Sequence, residues 1–210
     1  MAGHFISFEG GEGAGKSTQV RLLAEALKAA GREVVATREP GGAPGAEAVR
    51  ALLVEGEPDR WEPLTETLLH VAARHEHVRR TIGPALARDA WVISDRFADS
   101  TMAYQAYGLG VARTIVAELN RLAVGTVRPD LTLVLDIPVE KGLARASQRQ
   151  GNETRYERMD RAFHVRLRAG FLDIAAREPD RCAVVPAGGE VEDVHTAIKQ
   201  IVSRRLGVAL

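Results

Sequence analysis

The run Gly10-Gly11-Glu12-Gly13-Ala14-Gly15-Lys16-Ser17-Thr18 constrains this chain more than any other stretch. Gly10, Gly15, Lys16 and Ser17 fit the spacing G-x-x-x-x-G-K-[ST] of a phosphate-binding loop. Glycines let successive backbone N–H groups turn into one concave space, where they bind anionic oxygens. Lys16 adds a point charge for the outer phosphates, Ser17 offers a hydroxyl to Mg²⁺, and a helix starting here aims its positive end at the same phosphates. The flanks suit the motif. His4-Phe5-Ile6-Ser7-Phe8 reads as a buried strand, and Val20, Leu22, Leu23, Ala26 and Leu27 recur with helical spacing. Gly10 to Thr18 are therefore the expected nucleotide-phosphate-binding residues.

The same alternation continues. Strands are expected at Glu33–Thr37, Ala90–Arg96, Leu131–Asp136 and Cys182–Val185, with helices over Pro63–Arg88, Val139–Ala146, Tyr156–Arg177 and Val191–Leu206. Five strands alternating with helices predict an α/β protein, a parallel sheet covered on both faces. No linker or repeat divides residues 1–210, so a single domain is expected. Candidate chemistry falls at the carboxyl ends of the first four strands: the glycine loop, Arg38, Asp95-Arg96 and Asp136. Asp95 and Asp136 are both placed to support a metal beside Ser17. Ser100 to Tyr107 combine hydroxyls, the Gln105 amide and aromatic rings, a mixture suited to a base and a sugar. Leu64, Leu68, Val71, His75, Val78 and Ile82 form a helical seam that packs on the sheet or on a second subunit. Arg74 lies off that seam, where a helix surface leaves a side chain solvated.

Composition narrows the class. Lys+Arg and Asp+Glu are each 28, giving zero formal charge and no case for broad nucleic-acid or membrane affinity. Cys182 is the one cysteine, which rules out an intramolecular disulfide. No signal-peptide pattern or membrane-length apolar run is present, so a soluble cytoplasmic protein is expected. The chain has neither D-x-x-G nor N-K-x-D, the elements of a GTPase switch, and Lys16 stands where a dinucleotide-binding loop needs its third glycine. A small phosphotransferase with a second substrate pocket remains. Kinases for other nucleoside monophosphates or deoxynucleosides, and a module that only senses ATP, share the loop.

The chain resembles bacterial thymidylate kinases from about Phe5 to the last helix. The resemblance is carried by Phe8–Thr18, Arg38-Glu39-Pro40-Gly41-Gly42, Ala72-Ala73-Arg74, Ser94-Asp95-Arg96-Phe97 with Ser100-Thr101, Pro129–Thr132 with Leu135-Asp136, and Arg155-Tyr156-Glu157 with Phe163-His164. It implies a P-loop NTPase fold with a short lid near residues 147–157, transfer of the ATP γ-phosphoryl to dTMP with Mg²⁺, and a homodimer. It implies that Glu12 sits near the sugar 3′-hydroxyl and helps organise the metal with Ser17 and Asp95. Arg96 would hold the acceptor phosphate, with Arg38 near it. Arg74 and Thr101 would reach the base, and Tyr104 would exclude a 2′-hydroxyl. Ser100 and Gln105 belong to the same expected pocket. His70 stands where the family usually stacks a phenylalanine on the base, and an imidazole there is chargeable near pH 6.5. Phe171 stands where a tyrosine is common. Some members carry an arginine directly after the loop acid. Gly13 occupies that position here, which implies a lid arginine instead, Arg149 or Arg155. On that reading Arg155→Ala lowers turnover far more than dTMP binding.

Overall fold

The computed structural model describes residues 3–148 and 155–210. Among them β1 Phe5–Glu9, β2 Val34–Arg38, β3 Trp91–Asp95, β4 Leu131–Asp136 and β5 Cys182–Pro186 form one sheet ordered β2-β3-β1-β4-β5. Every pairing is parallel. β1 is central and buried along its whole length, which explains why its apolar run is unbroken.

Side chains alternate across the sheet. Ile6, Phe8, Ile93, Leu133 and Leu135 pack with Leu23 and Leu27 of α1 Lys16–Ala29 and with Ile198 and Val202 of α9 Val191–Leu206. On the other face, Val134 packs with Phe163, Leu167 and Phe171 of α8 Arg161–Arg177. Phe5 and Val92 pack there with Val78, Ile82 and Phe97.

The expected helix over residues 63–88 is interrupted. α3 Pro63–His77 passes into a π-helical stretch, Val78–Ile82, and then α4 Gly83–Ala87. Its apolar seam divides with it. Val78 and Ile82 are buried against the sheet, whereas Leu64 and Leu68 are each 47% exposed. α2 Pro44–Val54 and α6 Arg113–Val124 are additional elements that the sequence reading did not place. α5 Ala98–Thr101 continues into a second π stretch, Met102–Gly108, and α7 Val139–Ala146 follows β4. The helix expected from Tyr156 begins only at Arg161, where the Asp160 carboxylate accepts a bond from Phe163 N–H at 2.6 Å. No helix among the described residues is long and apolar enough to cross a membrane.

Strand order reverses at β1, between its neighbours β3 and β4. Loops leaving β1 and β3 therefore diverge at their carboxyl ends and leave a crevice, the usual ligand position in open α/β sheets.

Candidate active site

Gly10 to Gly15 link β1 to α1. A Cβ on Gly10 would lie 2.4 Å from the Leu135 carbonyl oxygen, so only glycine fits this approach to β4. No side chain caps α1, whose N-cap is Gly15, and the first-turn N–H groups face the crevice uncapped. Lys16 folds back on its loop, donating to the Gly10 and Gly11 carbonyls at 3.1 and 2.8 Å. Burial, then the nearby Arg96 charge, pushes its ammonium down to about 8. A polyphosphate beside it would reverse that shift.

Ser17 Oγ donates to Asp95 Oδ2 at 2.5 Å. This pair separates the two strand-end aspartates. Asp136 is held bidentately by Arg168 at 2.7 and 2.8 Å and lies outside the main cavity. A hydroxyl and a carboxylate beside the loop are the hard oxygen donors that Mg²⁺ takes. Glu12 stands in the same loop, and its Oε1 accepts from Arg96 Nη2 at 3.0 Å and from the Tyr104 hydroxyl at 2.5 Å.

A cavity of about 510 Å³ runs from the glycine loop across the carboxyl ends of β1, β2 and β3. Lys16, Ser17 and Asp95 lie at one end; Arg96, Arg74, Ser100, Thr101, Tyr104, Gln105 and His70 also line it, as does the half-exposed Arg38, which pairs with Glu47 at 3.2 Å. Arg96 has a left-handed backbone, φ 74°. Its Nη1 donates to Gly10 O and Ser100 Oγ, and its guanidinium lies 4.9 Å from the Tyr104 ring centroid.

Arg74 corrects the expectation of a solvated side chain, since it is only 2% exposed. Its Nε donates to Glu39 Oε2 at 2.7 Å, Nη1 to Asn120 Oδ1 at 2.7 Å and Nη2 to Phe97 O at 3.0 Å. Each terminal nitrogen carries a second N–H, so a fixed fork is available to a ligand. Near it the buried Thr101 Oγ1 and Gln105 Oε1 have no partner among the described residues. Unpaired buried polar atoms in a cavity wall are costly unless a ligand meets them.

His70 is tied to its surroundings. The Tyr156 hydroxyl donates to Glu66 Oε1 at 2.8 Å, so it accepts from His70 Nε2, 2.8 Å away, and the ring proton sits on Nε2. Burial, then Arg74, Arg155 and Arg96, pushes the imidazole down to about 3, so the ring is neutral where the sequence suggested a chargeable one. Between that value and 6.5 the unfolded chain binds the extra proton, and stability is lost as pH falls through this window. His70→Phe is therefore expected to reduce the acid loss by roughly 1–2 kcal/mol at about pH 5. Melting curves at pH 7.5 and pH 5 check this; an equal acid loss in both proteins rejects it.

Arg155, one of the two arginines named for the lid role, is 2% exposed and outside the cavity lining. It pairs with the fully buried Glu66 and donates to the carbonyls of Leu53, Glu57 and Pro58. Arg149 and most of the expected lid lie outside the described residues.

The sequence reading missed several participants. Glu39 and Asn120 orient Arg74, and Glu66 joins Gln105, Tyr156 and Arg155. Arg145 of α7 lines the cavity and donates to the carbonyls of Ala187, Gly188 and Gly189, which brings the loop after β5 to the site as well. A glutamate before the proline at the end of β2 was a visible signal for Glu39; nothing local marks Asn120.

Gly13 and Gly142 touch. A Cβ on Gly13 would lie 1.9 Å from the Gly142 carbonyl oxygen, and one on Gly142 would lie 2.5 Å from the Glu12 carbonyl oxygen. Position 13 thus has no room for an arginine. Gly142→Ala is expected to cost about 1–3 kcal/mol of stability, by analogy with overpacking, and to weaken ATP binding more than dTMP binding. Calorimetric titration of each ligand checks the asymmetry.

A family model described as thymidylate kinase matches residues 8–198. The thymidylate kinase of Caulobacter vibrioides is 57% identical over 206 residues, covering 98% of this chain and 99% of that one. That of Geobacter sulfurreducens is 47% identical, covering 97% and 98%. The crystal structure of thymidylate kinase from Ehrlichia chaffeensis superposes with a TM-score of 0.77 at 36% identity, over 96% of this chain and 99% of that chain. With a phosphate loop at one end of the cavity and a fixed arginine fork at the other, the chain belongs to the thymidylate kinase family.

Proposed function

We propose that this chain transfers the γ-phosphoryl group of ATP to dTMP, giving dTDP and ADP. The observation that carries this is one continuous cavity holding Lys16 and the uncapped start of α1 together with Arg96, Arg74 and the unpaired Thr101 hydroxyl. A protein that only senses ATP needs no such second half.

The backbone from Gly10 to Thr18 and Lys16 bind the donor phosphates. Ser17 and Asp95 hold Mg²⁺, which when bound neutralises charge on the donor phosphates. Arg96 holds the acceptor phosphate, with Arg38 beside it. Arg74, Thr101 and Gln105 orient the base, His70 gives it a neutral flat face, and Tyr104 beside Glu12 crowds the sugar. These groups position two anions in line and offset their repulsion; little covalent chemistry falls to the protein. The acceptor oxygen is mostly deprotonated at pH 7, given a second phosphate pKa of about 6, so no strong base is required. With Arg155 committed to Glu66 and position 13 closed, the lid role implied by the resemblance falls to Arg149. Residues 1–210 act as one kinase domain with a lid near 147–157, in the cytoplasm, without nucleic-acid or membrane partners.

The exposed Leu64 and Leu68 of α3, with Ile115 and Leu122 of α6 at 45% and 63% exposure, support a homodimer through this face. Light scattering on the purified protein tests that assembly. ADP release measured with ATP, Mg²⁺ and dTMP, dUMP, dCMP or thymidine tests the activity. Fastest release with dTMP supports the reading. Release independent of any acceptor, or fastest with thymidine, rejects it.

A further inference from the structure

Glu9 ends the central strand and is fully buried, yet among the described residues no basic side chain bonds to it. Its two oxygens serve one short segment instead. Oε1 accepts from Phe97 N–H at 2.8 Å, and Oε2 accepts from the Ser100 hydroxyl at 2.5 Å. Arg96, whose side chain enters the cavity, lies immediately before Phe97.

Arg96 needs such support. A residue other than glycine at φ 74° is held against a steric clash of its Cβ with the backbone. Bonds on both sides of the residue hold the turn. Arg96 N–H donates to Phe8 O at 2.9 Å, and the Ser94 hydroxyl donates to Arg96 O at 2.7 Å. Phe97 N–H then goes to Glu9. The side chain is held through the same carboxyl, because Ser100 Oγ accepts from Arg96 Nη1 at 3.2 Å while it donates to Glu9. Backbone and guanidinium thus converge on one buried group. Burial, then Asp99, pushes that carboxyl up to about 8, against the opposing pull of its Ser100 bond, the Arg96 charge and its Phe97 bond.

We propose that Glu9 is a positioning residue for acceptor recognition, holding Arg96 in its left-handed turn through Phe97 N–H and the Ser100 hydroxyl so that the guanidinium meets the acceptor phosphate. This inference rests on the assignment of Arg96 to that phosphate.

The test is binding of dTMP and of thymidine, the same ligand without the phosphate, to the whole protein by calorimetry. Glu9→Met fills the volume but accepts no bond. It is expected to weaken dTMP about 10-fold or more and to change thymidine less than about twofold. Glu9→Gln keeps a carbonyl for Phe97 N–H and an amide N–H that donates to Ser100 Oγ, the same link with its direction reversed, and is expected to retain affinity to within about threefold. In an Arg96→Ala background Glu9→Met should add little, the signature of two residues acting as one. Ser100→Ala removes one of the two links and leaves Glu9 in place; a smaller loss, confined to dTMP and absent in the Arg96→Ala background, is expected if Glu9→Met does not fold. Equal losses for dTMP and thymidine, no loss for either, additivity with Arg96→Ala, or a large loss in Glu9→Gln each overturns the proposal. If Arg96→Ala itself leaves the dTMP-to-thymidine affinity ratio unchanged, the phosphate assignment of Arg96 has failed instead.

Discussion

Arg155→Ala is expected to lose about 3–5 kcal/mol of folding stability, because it leaves the Glu66 carboxylate buried without its cation. In a chain of this size that lowers the melting temperature by roughly 10 °C. The loss is compounded because the guanidinium also gathers the carbonyls of Leu53, Glu57 and Pro58, at the end of α2 and in the loop before α3. Turnover of the folded fraction, assayed well below the transition, should fall far less than the roughly 10³–10⁵ that arginine fingers contribute elsewhere. Glu66→Gln should destabilise in the same direction, since the amide keeps an oxygen for Tyr156 but no charge for Arg155. A variant that melts like the parent yet loses about a thousandfold in turnover would return Arg155 to the phosphoryl group.

Arg96→Ala should act on chemistry and acceptor binding. It removes the side chain best placed for a phosphate and leaves Glu12, whose partner it is at 3.0 Å, facing that phosphate with one cation fewer. Two charge-assisted hydrogen bonds are worth about 1.5–3 kcal/mol each, so kcat/KM for dTMP is expected to fall by about 10²–10³ or more. ATP affinity should change little, because the donor phosphates are met by Lys16 and the backbone. Arg96 is also one reason the Lys16 ammonium is held down, so its removal lets that lysine protonate more firmly. Steady-state kinetics with each substrate varied in turn separates the two effects. A parallel rise in both KM values would deny Arg96 its acceptor-side role.

The strands were legible because each is a short run rich in apolar residues with turn residues at its ends, and in β1, β3 and β4 burial on both faces leaves little polar alternation to obscure it. The glycine loop was legible because its chemistry is local: Gly10, Lys16 and Ser17 act within one turn of chain. Asp95 was identified with Asp136 as its rival, and only the register of β3 beside β1 places it against Ser17. α6 carries helical spacing at Ile115, Val116, Leu119, Leu122 and Ala123 and was legible in principle, though only Val116, Asn120 and Ala123 of it are buried. Side chains whose burial depends on distant partners were not readable. Arg155 sits in a polar, charged stretch that reads as exposed, and the group that buries it is on α3, 89 residues earlier. The burial of Arg74 was unreadable for the same reason, since Glu39, Phe97 and Asn120 reach it from three separate segments. Side-chain charge predicts exposure only until a fold supplies a matching carboxylate.

The abutting backbones at Gly13 and Gly142 limit what the donor loop can carry. A cation added directly after Glu12 would first require α7 to withdraw, because the peptide opposite cannot yield by rotating a side chain. Main-chain spacing, more than side-chain choice, therefore sets what chemistry the loop itself can present.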